Sequence, residues 1–165
     1  MLQFKEGDKV VYPNQGVGII EYIEEKEFNG KLEKYYKIYL TNNKMKVLLP
    51  FSRVEKSHMR LISDPDYLDY KLDHANDYID KAEKLSKINY KERNELYNIK
   101  IKSGTVEDYL ELIYNLTKMK MKHDLNYMEK TMLRTAKRIL ADEIAQSKHM
   151  DFDEAYDKLD KLIIQ

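Results

Sequence analysis

Hydrophobic positions change their period once along this chain. Up to about residue 62 they come in short, alternating runs, and from Ser63 onward they recur at three- and four-residue intervals, a switch from a strand signature to a helix signature. Val10-Val11-Tyr12 is a β-prone run, Pro13-Asn14-Gln15-Gly16 is dense in turn formers, and the apolar pattern resumes over residues 17–23, so the stretch predicts strand, tight turn, strand. Gly7-Asp8 is a second turn signal. Gly16 and Gly18 bracket a valine, marking places where the backbone takes positive φ or runs close against another strand. Alternation continues over residues 21–28, Asn29-Gly30 is a strong hairpin turn, and residues 33–40 return. Thr41-Asn42-Asn43 turns into residues 44–49, with a last short strand at residues 59–62. Four or five short strands with close turns predict a small, strongly bent sheet or barrel of SH3 or Tudor type.

Asp64-Pro65-Asp66 opens the helical part, with proline in the first turn and carboxylates at the positive end of the helix dipole. That pattern breaks somewhere between His74 and Lys87, where apolar spacing is poor. Asn89 is placed to cap a second helix carrying Tyr90, Arg93, Leu96, Tyr97, Lys100 and Ile101, which stops at Ser103-Gly104; Thr105 caps a third with a face of Val106, Leu110, Ile113 and Leu116. Asn126 with Glu129 reads as a capping box. It starts a helix whose apolar face is Met128, Met132, Ala136, Ile139, Leu140 and Ile144, opposite Lys130, Arg134, Lys137 and Arg138. Asp151 or Asp153 caps a last helix holding Phe152, Tyr156, Leu159, Leu162 and Ile163. The expected fold is α+β: an amino-terminal small bent sheet or barrel over residues 1–62 and a carboxy-terminal bundle of about five α-helices over residues 63–165.

Composition narrows the function. The chain has 165 residues, 42% hydrophobic and 35% charged, and no cysteine, which excludes disulfides, thiolate metal sites and cysteine nucleophiles. No apolar run approaches the roughly 18 residues of a spanning helix, and the first residues lack the layout of a secretory signal, so a cytoplasmic protein is expected. Formal charge is zero but unevenly spread: +3 over residues 1–62, −4 over 63–85, +4 over 86–148 and −3 thereafter. A general nucleic-acid binder would be basic throughout; here the sheet and the middle of the helical part are the surfaces for an anionic partner.

Catalysis is not expected. The four histidines show no i, i+4 pair for zinc, and Gly16-Val17-Gly18 is no dinucleotide fingerprint because no βαβ unit follows. Asp64, Asp66, Asp69 and Asp73 fit a helix start and a solvated face better than a magnesium cluster. Crowded tyrosines in the sheet read as core packing and compositional bias better than as a cage for a methylated lysine. No cofactor and no metal are expected.

Two groups of residues carry a resemblance. Gly7-Asp8-Lys9-Val10-Val11-Tyr12-Pro13, Gly16-Val17-Gly18-Ile19-Ile20 and the proline-ended strand Val47-Leu48-Leu49-Pro50 resemble the amino-terminal domain of the CarD family, bacterial regulators that bind RNA polymerase. Transcription-repair coupling factors carry a similar module. Glu129-Lys130-Thr131-Met132-Leu133 with Ala136-Lys137-Arg138-Ile139-Leu140 resembles that family's carboxy-terminal helical domain, and the two in this order make the likeness more specific.

The resemblance implies that the sheet docks on the polymerase β subunit by adding a strand at its edge. The edge would be residues 44–49, with Lys46, Val47 and Leu48 in contact and Lys26 and Phe28 on the neighbouring strand; Leu48 stands where some members have an arginine. It further implies that the helical domain meets promoter DNA in the minor groove at the upstream edge of the melted bubble, where many members insert a tryptophan. This chain has no tryptophan; the matching position is Tyr90, flanked by Lys91, Arg93, Lys130, Arg134 and Arg138 as phosphate contacts, with Glu92 and Glu95 opposing them. A net-neutral protein binds free duplex weakly, so DNA contact would depend on tethering through polymerase. The expected protein is a monomeric, non-enzymatic stabiliser of the open promoter complex without a membrane partner. The alternative is a polymerase-binding adaptor whose helices dock another protein.

Overall fold

The computed structural model describes residues 3–78 and 84–164. Strands β1 (Lys9–Tyr12), β2 (Gly16–Phe28), β3 (Lys31–Leu40), β4 (Lys46–Pro50) and β5 (Arg60–Leu61) form one antiparallel sheet in the order β4-β3-β2-β1-β5. The turn between β1 and β2 holds Asn14 and Gly16 at φ of 65° and 125°, and Gly18 faces a close approach: a Cβ there would lie 2.6 Å from Ile38 Cγ2. The two glycines thus meet the two needs expected of them. Asn29 and Gly30, both at positive φ, close the β2–β3 hairpin. A bulge between Ile20 and Tyr22 shifts the β2–β3 register, which bends and twists the strand, and the outer half of β2 leaves the core.

Among the described residues, nine buried side chains fill the sheet's core, including Val10, Ile20, Tyr36, Ile38 and Leu40. Tyr36 anchors it, meeting Phe4 edge-on at 5.8 Å and stacking on Phe51 at 4.2 Å. A 3₁₀ turn (Phe51–Arg53) and the short helix α1 (Val54–Ser57), segments the pattern had left unassigned, drop Val54 into this core.

Helices α2 (Pro65–Asp73), α3 (Tyr90–Ser103), α4 (Val106–Lys122), α5 (Tyr127–Lys148) and α6 (Phe152–Ile164) follow. Their starts match the sequence. Asn89, Thr105 and Asn126 accept from the backbone N–H of Glu92, Asp108 and Glu129, and Asn126 with Glu129 completes a capping box. Of the two aspartates open for the last helix, Asp151 is the cap, accepting from the Asp153 N–H at 2.8 Å. Past α2 the chain makes a 3₁₀ turn (Ala75–Tyr78); the rest of the expected break includes residues 79–83, outside the described residues.

Helix α4 is buried nearly all round over Tyr109 to Leu116, more than the single face expected, because α2, α3, α5 and α6 all pack on it. Met128, assigned to the buried face of α5, is exposed, because the side of that first turn facing α3 is taken by Glu129, buried against Arg93. Each of the four histidines ends a helix: His58, His74, His123 and His149 are the C-caps of α1, α2, α4 and α5, and the Nδ1 atoms of His74 and His123 lie 2.8 and 3.0 Å from the Tyr70 and Met119 carbonyls of the last turns.

Sheet and bundle share a packed seam. Val11 and Val17 belong to the core of the helices, while Val10 on the opposite face of β1 belongs to that of the sheet, as alternation along a strand dictates. Gly104, left-handed at the end of α3, lies under Pro13: a Cβ there would come within 2.4 Å of the proline ring.

Candidate functional site

Strand β4 is the outer strand of the sheet on one side, paired with β3 alone. The Leu40 N–H donates to the Met45 carbonyl at 2.8 Å. Because directly opposed pairs alternate between bonded and non-bonded in an antiparallel ladder, the registers Ile38↔Val47 and Tyr36↔Leu49 fall in the bonded class. Lys46 and Leu48 therefore turn their backbone N–H and C=O outward, and Pro50, next in that series, has no N–H to offer. Leu48 is 38% exposed, Val47 half-buried against the sheet core, and Lys46 pairs with Glu21 at 3.6 Å.

Lys26 and Phe28 are not on the strand beside β4. They lie on β2 near the hairpin tip, opposite Glu33 and Lys31 of β3, and β4 pairs only as far along β3 as Tyr35. The five residues expected to meet polymerase thus divide between edge and tip, because the long hairpin overshoots the short β4.

The helical residues divide as well. Tyr90, the first residue of α3, is 47% exposed, and Lys91 and Lys130 are exposed. Arg93 is not available to phosphate. It is 8% exposed, its Nε and Nη2 donate to Glu129 Oε1 at 3.1 and 2.8 Å, and its Nη1 donates to the Ile88 carbonyl at 3.1 Å. Glu129 Oε2 accepts the Asn126 N–H at 3.2 Å, so a single carboxylate holds the first turns of α3 and α5 together. Tyr97 is sealed nearby with its hydroxyl on Met119 Sδ, and burial pushes its pKa up to about 12.

On α5, Arg134 is exposed, Lys137 is tied to Asp160, and Arg138 is half-buried, with Nη1 lying 3.4 Å from where a Gly16 Cβ would stand. Arg138 is thus a residue of the seam more than of the open face. Tyr127, outside the expected set of DNA contacts, is 78% exposed at the first position of α5.

The seam carries the strongest electrostatics. Arg60 of β5 makes a two-pronged contact with Glu143 of α5, at 2.6 and 2.8 Å, and donates from Nε to the Gly104 carbonyl at 2.9 Å. Glu143 is fully buried and also accepts the Ser63 N–H at 2.9 Å. Burial pulls the Arg60 pKa down, but the hydrogen bonds and charge of Glu143 outweigh it and leave the guanidinium above its ordinary value. One residue before Glu143, Asp142 accepts from Thr41 Oγ1 at 3.1 Å; burial raises its carboxyl despite this bond and the nearby Arg138 charge. Tyr109 completes the seam beside Gly104, burial taking its pKa up to about 12. No local pattern announces the Arg60–Glu143 pair, because its members stand 83 residues apart.

Among the described residues no group of three or more metal-ligating side chains converges, and no helix is long and apolar enough to cross a membrane. Asp69, one of the aspartates weighed above, is engaged by Lys148.

Comparison with known proteins agrees with this arrangement. Residues 4–63 match the family model of the CarD-like/TRCF RID domain, and residues 75–160 match that of the CarD C-terminal domain. YdeB, a protein of Bacillus subtilis (strain 168) assigned as a transcription factor, is 35% identical over 141 residues, covering 86% of this chain and 90% of its own. A solved structure, "CdnLNt from Myxoccoccus xanthus", is 38% identical and covers 33% of this chain and 78% of its own, with a TM-score of 0.30. With a domain model matched in each half and a relative aligned along most of its length, the chain belongs to the CarD family of non-enzymatic transcription regulators that work with RNA polymerase.

Proposed function

We propose that residues 1–62 dock on the RNA polymerase β subunit by strand addition to β4, and that residues 63–165 then contact promoter DNA at the upstream edge of the bubble and stabilise the open complex. The observation that carries the docking step is the outward backbone of Lys46 and Leu48 on a strand paired on one side only. Main-chain pairing gives affinity without demanding particular side chains, which accommodates leucine at position 48.

The seam gives docking its consequence. Arg60, Glu143 and the shared valines fix the helices to the sheet, so a sheet bound to polymerase sets where Tyr90, Lys91, Lys130 and Arg134 point. Those few cations support only weak binding to free DNA, but tethering raises their effective concentration. A preference of about 1.4 kcal/mol for opened over closed promoter changes their ratio tenfold.

Leu48→Pro is the sharpest test of docking. It removes an outward N–H and leaves the β3 ladder intact, since proline is tolerated at an edge position whose N–H faces away from the sheet. The folded variant should lose most binding to a purified β-subunit fragment; unchanged binding would refute edge pairing.

A second reading, with the helices as a platform for another protein, is favoured by one patch. Ile99 is 66% exposed and Leu96 is also exposed on the outer side of α3, next to Glu92 and Glu95, a surface suited to a protein more than to phosphate. Tyr90→Ala with Lys130→Glu separates the readings: a folded double variant with full open-complex lifetime supports the platform.

A further inference from the structure

Helices α3 and α5 begin with the same five-residue pattern. Asn89-Tyr90-Lys91-Glu92-Arg93 and Asn126-Tyr127-Met128-Glu129-Lys130 each place an asparagine cap, a tyrosine, any residue, the glutamate whose N–H the cap receives, and a cation. The Arg93–Glu129 contact sets the two starts against each other. Both tyrosines are thus presented from the same end of the bundle, and the second is the more open of the two.

Their electrical surroundings differ. At roughly 100° per residue, Tyr127 shares one face of α5 with Lys130, Thr131, Arg134 and Arg138, at i+3, i+4, i+7 and i+11. No carboxylate lies on that face: Glu129 is turned inward to Arg93, and Asp142 is held at the seam by Thr41. The nearest exposed carboxylate in sequence, Asp124, is in the loop before the cap. On α3 the open face beyond Tyr90 carries Glu92 and Glu95. An anionic strand following the open part of the α5 face would meet two exposed cations, Arg134 and Lys130, and end at an exposed aromatic ring.

We propose that Tyr127 is a nucleic-acid contact of this protein, stacking on an unpaired base of opened promoter while Lys130 and Arg134 hold the adjoining phosphates. A tyrosine ring takes any base on its π-face, which suits a contact that does not read sequence. The proposal rests on the open-complex reading above and adds a residue to it.

The test uses the full chain with complete polymerase and a promoter. Open-complex lifetime is measured after a competitor challenge for the wild type, Tyr127→Ala and Tyr127→Phe, alongside binding to polymerase without DNA. At this exposure the substitutions leave the fold intact. Tyr127→Ala should cut the wild-type extension of lifetime about fivefold or more, the range of a lost base–aromatic stack, and Tyr127→Phe should keep most of it, both with unchanged polymerase binding. Equal lifetimes for wild type and Tyr127→Ala would overturn the proposal and leave the open-complex reading standing. Weakened polymerase binding without DNA would overturn it by making Tyr127 a protein contact. A wild type that does not extend the lifetime at all would remove the underlying reading as well.

Discussion

Among the described residues, two arginine–glutamate pairs with buried carboxylates tie elements together, and they differ in how the arginine grips its partner. At the seam, Glu143 receives both prongs of Arg60 and the Ser63 N–H, while Arg60 has a further acceptor in Gly104. Within the bundle, Arg93 donates twice to one oxygen of Glu129, and the other oxygen belongs to the Asn126 cap. The first pair joins chain segments 83 residues apart and gathers the Ser63 N–H and the Gly104 carbonyl around it. The second doubles as part of a helix start. The seam thus ties the sheet to the helices at several points at once, as the proposed docking step requires.

Removing the cation from each pair measures that contrast. Arg60→Ala strands a fully buried carboxylate, and should lower unfolding stability by about 3–5 kcal/mol in urea titrations, with Glu143→Gln less damaging because it leaves no uncompensated charge. Arg93→Ala should cost about 2–3 kcal/mol, because Arg93 donates to only one oxygen of Glu129 whereas Arg60 grips both oxygens of Glu143; each carboxylate keeps one backbone N–H, from Asn126 and from Ser63. Equal losses, or a larger loss at Arg93, would break the comparison. Asn126→Ala then isolates the cap and should cost about 1 kcal/mol.

The smallest effect is a pH dependence at the seam. Burial raises the Asp142 pKa above its unfolded value, so the folded state holds the proton more tightly, and ionising Asp142 costs stability as pH rises through the raised value. Asp142→Asn should therefore be slightly more stable than wild type at neutral pH, with the gap closing as pH falls through that range. A gap that is constant with pH would mean Thr41 and Arg138 fully offset the burial.

What was legible in the sequence follows from distance along the chain. Caps at Asn89, Thr105 and Asn126, turns at Asn14 to Gly16 and Asn29-Gly30, and the change of period at residue 63 are all written within windows of a few residues, where local hydrogen bonding decides the outcome. The seam is not, because Arg60 and Glu143 meet only once the whole chain has folded. Arg93 illustrates the same limit: the sequence makes it a phosphate contact beside Tyr90, and only the arrival of Glu129 from α5 makes it a buried cation. Placing Lys26 and Phe28 on the strand beside β4 fails through length, since hairpin residues can be counted but the reach of β4 along them cannot. The repeated Asn-Tyr start was in plain view, and its meaning came from exposure: burial had to be known before Tyr127 stood out from the chain's other tyrosines.

The central claim is that a docked sheet lets the cationic face of α5 act on opened promoter. Its most direct measurement is the decay of competitor-challenged open complexes formed with the wild type and with a Lys130→Glu, Arg134→Glu variant that binds the polymerase β fragment normally. The account predicts a lengthened lifetime with the wild type and a return to the polymerase-alone lifetime with the variant. Wild-type lifetimes in the charge-reversed protein would contradict it.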